Sequence, residues 1–200
     1  MQPAMGWLTR LGFVAAAPAS SDDSVLLARL AAGDTDALAL LYRRESGSVY
    51  RYALALAGDE AAALDAVQEA FAQLLRGPQR FQPGRGSLGA YLAGIARHQL
   101  LSQWRDARRH VPLDDDALDE TDPTPGSDAR LTQAQREDGL WAAIRRLSWP
   151  QREAITLVDL QERPYDEAAA IAGVSTDVLR TRLHRARQRL ADLLAAGERS

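Results

Sequence analysis

Apolar residues recur at helical spacing along most of the chain, and no stretch shows the strict alternation that is typical of a strand. Between Asp22 and Leu75 the sequence is rich in alanine and leucine. Two Gly-Asp pairs, at 33–34 and 58–59, divide this stretch into three predicted helices, because glycine commonly ends a helix and aspartate commonly begins one. A fourth helix is predicted from about Leu88 to Arg109. The pattern therefore predicts an all-α fold.

A second helical block is predicted over residues 131–196. Ser148 and Pro150 have the positions expected of an N-cap and a first-turn proline, so they mark the start of one helix. Gly173 and Ser175 separate two further helices, the first short and the second long. A short helix, a glycine turn and a longer basic helix form the pattern of a helix-turn-helix.

Two stretches lack helical periodicity. Residues 111–130 are acidic and rich in proline, and we interpret them as a flexible linker between two domains, 22–110 and 131–196. The three aspartates at 114–116 are favoured as part of this solvated tether over a metal cluster, because no rigid element would hold the ligands. Residues 1–21 are interpreted as a disordered leader.

The composition excludes several classes of protein. Cysteine is absent, which excludes disulfides, thiolate zinc sites and cysteine nucleophiles. No apolar run reaches the roughly 18 residues of a membrane span. Three scattered histidines (His98, His110 and His184), no phosphate-binding loop and no convergent carboxylates on ordered elements give no catalytic site. We therefore predict a protein that is not an enzyme and has no cofactor or metal.

The net charge is only −3, but its distribution is uneven, and all 24 basic residues are arginine. On the last predicted helix no acid occurs between Asp177 and Asp192, so five arginines would repel one another unless a polyanion is present. The buried stripe of this helix is predicted to comprise Leu179, Leu183, Ala186, Leu190 and Leu193. The opposite pole carries Asp177, Thr181, His184 and Gln188, with Arg180 and Arg185 beside it. This pole is a plausible surface for reading a DNA major groove.

Residues 147–190 resemble the C-terminal DNA-binding domain, region 4, of bacterial RNA polymerase sigma factors. The segment reads LSWPQREAITLVDLQERPYDEAAAIAGVSTDVLRTRLHRARQRL. The residues that match the family pattern are Pro150, Arg152, Tyr165, Glu167, Ala169, Gly173, Arg180, Arg182, Leu183, Arg185, Ala186 and Arg187.

A second, independent resemblance lies in the first domain. The segment LDAVQEAFAQLLR is similar to the part of sigma region 2 that docks on the polymerase clamp, and the matching residues are Asp65, Gln68, Glu69 and Phe71. The segment FQPGRGSLGAYLAGIARHQLLSQWRDARR resembles the adjoining part, which melts and reads the minus-ten element. The chain has no room for the central domain of housekeeping sigma factors. The resemblance is therefore to the extracytoplasmic-function (ECF) group.

The resemblance implies a cytoplasmic protein that does not insert into membranes and that binds core RNA polymerase, promoter DNA and an anti-sigma factor. It implies three sets of contact residues. The polymerase contacts would be Asp65, Gln68 and Glu69. The minus-ten contacts would be Arg80, Arg85, Arg97, His98, Trp104, Arg105, Arg108 and Arg109. The minus-thirty-five contacts would be Arg180, Thr181, Arg182, His184, Arg185, Arg187 and Gln188.

The chain departs from the family pattern at several positions, which are Tyr91, His98, Ser102, Ala168 and the triplet Asp177-Val178-Leu179. Two alternatives stay open. A stand-alone helix-turn-helix regulator would not need the face around Gln68. A sigma-like decoy that sequesters an anti-sigma factor would not need the basic helices.

Overall fold

The computed structural model describes residues 21–83, 86–107 and 133–197, and within these ranges the secondary structure is helical, without strands. We call residues 21–107 the first half and residues 133–197 the second half. The helices are α1 (Ser21–Ala31), α2 (Thr35–Ala57), α3 (Glu60–Arg76), α4 (Leu88–Ala107), α5 (Gln133–Arg145), α6 (Trp149–Ala154), α7 (Tyr165–Ala172) and α8 (Thr176–Gly197). The all-α prediction is confirmed.

Some sequence predictions lie outside the described residues. They concern the linker at 111–130, almost all of the leader, and three of the predicted minus-ten contacts, which are Arg85, Arg108 and Arg109. His110 and the aspartates at 114–116 also lie there. Ser21, the last residue of the predicted leader, already begins α1.

The helix boundaries of the first half follow the two Gly-Asp pairs. Asp34 is the N-cap of α2, where its Oδ1 accepts hydrogen bonds from the backbone N–H groups of Asp36 (2.9 Å) and Ala37 (3.4 Å). Asp59 caps α3 through a 2.8 Å bond from the Ala62 N–H. These caps satisfy N–H groups that have no partner within the helix. The first three predicted helices are confirmed.

The second half contains the predicted helix-turn-helix. Gly173 has a φ of 67°, which is the left-handed conformation that favours glycine, and it ends α7. Ser175 then caps α8, since its Oγ accepts from the Val178 N–H at 3.4 Å. On α8 the predicted apolar stripe is buried, with Leu179 fully enclosed and only Leu190 half-buried. The positions of the turn and of both helices are confirmed.

The start of α6 differs in detail from the prediction. Ser148 is the N-cap residue, but its side chain makes no capping hydrogen bond to the helix. The backbone around this point is held instead by Arg152, whose guanidinium donates to the carbonyls of Arg145 (2.7 Å) and Leu147 (3.1 Å). α6 continues into a π-helical segment (Ile155–Leu160).

The two halves pack on each other and share one hydrophobic core. This core runs without interruption from α1 through α4 into α5 to α8. α7 lies against α4, and α6 lies against α2. The sequence predicts the two helical units but contains no local signal for their association, because the side-chain hydrogen bonds between them join residues 56 to 113 positions apart.

Buried polar contacts also cross between the halves. Arg152 donates to the Leu56 carbonyl at 2.8 Å, and Gln161 Nε2 donates to the Ser48 carbonyl at 2.9 Å. Ser87 Oγ donates to Glu167 Oε2 at 2.8 Å. Since an unpaired polar group in such an interface is destabilising, these bonds fix one relative orientation of the halves.

Candidate nucleic-acid interface

The outward pole of α8 is exposed over its whole length. Its predicted contacts Thr181, His184, Arg185 and Gln188 are all exposed, and Arg182 is half-buried beside the apolar stripe. Because the leucines of the stripe anchor the helix in the core, the pole is held rigidly outward. The structure therefore brings the predicted minus-thirty-five residues together on one surface.

Two arginines of α8 have acidic partners, one on the same helix and one outside it. Arg187 pairs with Asp159 of the π-helical segment, at 2.5 Å and 3.0 Å. The hydrogen bond to Asp159 raises the pKa of Arg187. Arg180 pairs with Asp177 at 3.1 Å. The expectation of five mutually repelling arginines is therefore corrected, because two of the five charges are balanced within the protein.

Arg180 has a second neighbour. Its guanidinium lies over the ring of Tyr165, 5.4 Å from the centroid, in a cation–π contact. Tyr165 is the first residue of α7 and is partly exposed. Tyr165 matches the family pattern, but it was not among the residues predicted for the reading surface. A role for Tyr165 could have been suggested by its position at the start of α7, the helix that precedes α8 in the helix-turn-helix.

The predicted minus-ten residues on α4 are divided between exposed and buried environments. His98 and Arg105 are exposed, and Trp104 is half-buried. Arg97 instead points into the interface between the halves, where its Nε donates to Glu153 Oε1 at 2.7 Å. Burial by itself would lower the pKa of Arg97, but the charge and hydrogen bond of Glu153 raise it overall. Arg97 is therefore a charged group held by the second half.

Glu153 is the centre of this buried contact. Its side chain is only 1% exposed, and its Oε1 also accepts a 2.8 Å hydrogen bond from the Tyr52 hydroxyl of α2. Both partners, Tyr52 and Arg97, belong to the first half. No sequence signal identified Glu153, because a single glutamate on an amphipathic helix resembles any solvated acid.

A cavity of about 670 Å³ lies where the loop before α4, one side of α4 and α7 meet. Its wall includes the predicted contacts Arg80 and His98 together with Tyr91. The Phe81 ring packs edge-on against Tyr91 at 5.6 Å and is nearly buried, as expected of a packing residue. Ile171 of α7 closes the side formed by the second half.

The predicted polymerase contacts lie on α3. Asp65 and Gln68 are exposed, whereas the half-buried Glu69 accepts hydrogen bonds from Gln73 at 2.8 Å and from Arg76 at 2.7 Å. These bonds lower the pKa of Glu69. Asp65 and Gln68 are therefore open to a partner, whereas Glu69 is held in a hydrogen-bond network on its own helix.

Exposed apolar side chains flank this acidic face. Leu64 and Leu75 have 48% and 53% of their surface exposed, and they follow the helical spacing through Gln68 and the buried Phe71. Tyr42 of α2 is also exposed and packs on Phe71, with ring centroids 4.8 Å apart. Leu64, Leu75 and Tyr42 were not predicted to be part of this surface, although the i, i+7, i+11 spacing of Leu64, Phe71 and Leu75 could have indicated a second apolar face.

Within the described part of the chain, no helix is both long and apolar enough to cross a membrane. In the same residues, no three histidine, aspartate or glutamate side chains cluster in a way that would hold a metal ion.

Known protein families match both halves of the chain. The chain matches Sigma-70 region 2 at residues 41–110 and Sigma-70, region 4 at residues 138–190. The first match covers most of α2 to α4, and the second covers the helix-turn-helix. The helical fold and these two matches define a transcription factor of the sigma-70 class.

Individual relatives narrow the class. The chain is 31% identical over 196 residues to the ECF RNA polymerase sigma factor SigM of Mycobacterium tuberculosis, a match that covers 97% of this chain and 94% of that protein. It is 33% identical over 160 residues to the ECF RNA polymerase sigma factor SigE of Mycolicibacterium smegmatis, which covers 78% of this chain but only 60% of that longer protein. The chain belongs to the ECF RNA polymerase sigma factor family, as the resemblance implied.

A solved structure supports the same assignment. The sigma factor RpoE of Bartonella quintana, in complex with the anti-sigma factor NepR, is similar to this fold with a TM-score of 0.61 and 26% sequence identity. The match covers 78% of this chain and 95% of that chain.

Proposed function

We propose that this chain is an alternative sigma factor that directs core RNA polymerase to a set of promoters and is controlled by an anti-sigma factor. The observation that carries the proposal is the presence, on one chain, of an exposed α8 reading pole and an exposed acidic and apolar face on α3. A stand-alone regulator would need only the first surface. The protein acts in the cytoplasm and has no catalytic activity of its own.

The α3 face docks on the polymerase. Asp65 and Gln68 supply polar groups, and Leu64, Leu75 and Tyr42 supply apolar surface that is open to a partner. Apolar side chains ringed by polar ones are the usual composition of a protein–protein contact. Glu69 orients Arg76 at the edge of this face through their 2.7 Å ion pair.

The side of α4 that lines the cavity binds the melted minus-ten strand once the second half has moved away from it. Capture of an unpaired base in a pocket offsets the few kcal/mol needed to unpair it. Arg80, His98 and Arg105 line or flank the path, and arginine contacts to phosphate hold the strand in register. The resemblance implies further contacts to this strand from Arg85, Arg108 and Arg109, which lie outside the described residues, and Trp104 would add a ring.

In the arrangement described above, the second half covers part of this minus-ten surface. Ser87 is bonded to Glu167, Arg97 is bonded to Glu153, and α7 forms one wall of the cavity. We therefore expect the halves to separate before the chain can engage both promoter elements. An anti-sigma factor that binds the closed form would oppose that separation.

The α8 pole binds the minus-thirty-five element in the major groove. Arg180 and Arg185 are the base or near-base contacts, and Thr181, His184 and Gln188 lie between them. Arg182 and Arg187, which lie nearer the apolar stripe, hold phosphates or the edge of the helix.

Run-off transcription with core polymerase on a library of genomic promoters tests the proposal. The wild-type chain is expected to give promoter-specific initiation. Leu75→Ser should weaken its binding to core polymerase at least tenfold. Val25→Ser is the matched control, because Val25 is equally exposed on α1, outside the proposed face, and should change binding little.

Absence of specific initiation on every library member would refute the sigma function. Co-purification would then separate the two alternatives. A decoy would retain an anti-sigma partner without binding core polymerase, and a stand-alone regulator would bind DNA without either partner.

A further inference from the structure

We propose that Asp177 is a specificity-determining residue of the α8 reading pole, and that it acts with Arg180 as one acceptor–donor pair that reads a G·C base pair. The inference rests on the proposed binding of α8 to promoter DNA and goes beyond it. It assigns a particular base-pair chemistry to an acidic residue that general phosphate binding would disfavour.

Asp177 is not needed to start the helix. Ser175 already accepts the capping hydrogen bond from the Val178 N–H. The Asp177 side chain is 91% exposed and therefore contributes no packing to the core. Its place in the first turn of α8 suits an acid, because the positive end of the helix dipole is there. That effect makes the acid tolerable at this position but gives it no partner in the core.

An acid at this position has a definite consequence for DNA binding. The N-terminal residues of a recognition helix approach base edges in the major groove. The surrounding phosphates repel a carboxylate, so Asp177 lowers affinity for any duplex that offers it no hydrogen-bond donor. In the major groove the donors are the amino groups of cytosine and adenine, whereas guanine and the thymine carbonyl offer acceptors.

The position of Arg180 defines which donor–acceptor pattern is read. Its Nη1 donates to Asp177 Oδ1 at 3.1 Å, and its guanidinium plane is supported by the Tyr165 ring at 5.4 Å. The Arg180 side chain nevertheless remains 60% exposed, so its other N–H groups can donate outward. Arginine donors suit guanine O6 and N7.

The pair therefore presents donors and an acceptor side by side. A G·C pair shows the complementary order in the major groove, with the two guanine acceptors beside the cytosine amino group. Arg180 would donate to the guanine, and the free lone pairs of Asp177 would accept from the cytosine. The other balanced arginine of α8 does not offer this pattern, because the Asp159 side chain that holds Arg187 is only 24% exposed.

The test measures base preference and charge effects separately. Holoenzyme assembled from core polymerase and the full chain is incubated with duplexes whose minus-thirty-five region is randomised, and the bound fraction is sequenced. The wild type should prefer G·C at one position by about 10-fold or more, in keeping with one good base contact. Asp177→Ala should reduce that preference to less than about threefold and should raise affinity for unselected duplexes.

Three further variants show whether the effect is specific to the Asp177–Arg180 pair. Asp192→Asn removes an exposed acid from the same helix, outside the reading pole, and should leave the base preference unchanged. Arg180→Ala should lose the preference at the same base pair. The double variant, which combines Arg180→Ala with Asp177→Ala, should lose no more of the preference than either single variant, because the two residues act as one pair. Unchanged thermal unfolding midpoints would show that the variants fold.

The outcomes separate this inference from the proposed function. If Asp177→Ala keeps the wild-type preference at every position, the role of Asp177 is refuted while minus-thirty-five recognition stands. If the wild-type holoenzyme selects no sequence in this region, the proposed function of α8 is refuted as well.

Discussion

The arginines at the interface between the halves and the arginines on the pole of α8 are the same residue in opposite environments. Arg152 is buried, and its guanidinium donates to three backbone carbonyls. Arg185 is exposed, and no described residue forms an ion pair with it. A chain whose cations are all arginine therefore uses one side chain both to join its halves and to face a polyanion. Burial, which composition does not reveal, decides between the two roles.

The buried arginines should contribute much more to stability than the exposed ones, and the largest loss of stability is expected for a substitution at Arg152. Arg152→Ala removes the donors from the carbonyls of Leu56, Arg145 and Leu147 and leaves them buried without those partners. We expect a loss of about 3 kcal/mol in the free energy of unfolding. Urea denaturation measures it, and Arg185→Ala is the exposed control, expected within about 0.5 kcal/mol of wild type. Equal losses for the two variants would contradict the comparison.

The next largest effect is expected at the buried ion pair. Glu153→Gln removes the charge that balances Arg97 and should destabilise the chain by about 2 kcal/mol. Arg97 stays 20% exposed, so water can partly compensate for the lost partner. The variant should also loosen the halves, which small-angle scattering would register as a larger radius of gyration. The control is Asp166→Asn at an exposed site on α7. A wild-type radius and stability for Glu153→Gln would rule out this role.

Tyr52, the other partner of Glu153, should make the stability of the buried contact depend on pH. Burial, followed by the Glu153 charge, raises the pKa of the Tyr52 hydroxyl well above its ordinary value of about 10. Because the folded pKa is the higher one, this contribution to stability is fully present below about pH 10 and is lost as the pH rises further.

Tyr52→Phe should cost about 1.5 kcal/mol at neutral pH through the lost hydrogen bond, and it should weaken the alkaline decline. Unfolding curves from pH 7 to 11 measure both effects. Tyr165→Phe, at a partly exposed ring, is the control. The assignment fails if wild type and Tyr52→Phe decline equally above pH 10.

The smallest effect is expected at Glu162, in the turn before α7. This exposed residue has a φ of 53°, in the left-handed region where a side chain is strained. Glu162→Gly should therefore stabilise the chain by about 0.5–1 kcal/mol. Thermal denaturation would show a midpoint raised by a few degrees. A lowered midpoint would mean that the Glu162 side chain makes a favourable interaction that outweighs the strain.

Local features of the fold were predictable because their causes lie within a few residues. Asp34, Asp59, Gly173 and Ser175 begin or end helices through contacts with near neighbours. The buried stripe of α8 follows from helical spacing alone. The exposed residues of its pole followed from the same geometry.

The features that the sequence did not predict depend on distant partners. Tyr52 and Glu153 are 101 residues apart, and Arg187 finds Asp159 from 28 residues away. Whether a polar side chain on a helix is solvated or pairs across an interface depends on how the helices pack, which hydrophobic periodicity does not determine. The same reason explains why Arg97 was predicted among the DNA contacts without its buried partner.

If the chain opens as proposed, the core that the two halves share would set a threshold for the transcriptional response. If only the separated form binds a promoter, the apparent affinity falls in proportion to the fraction of molecules that are open. Each 1.4 kcal/mol or so that the buried contacts contribute to the closed form lowers that fraction about tenfold. Polymerase and promoter must together supply this free energy, so changes at Glu153 or Arg152 would alter the output of every promoter in the same proportion. Changes on the α8 pole would instead alter the ranking of promoters.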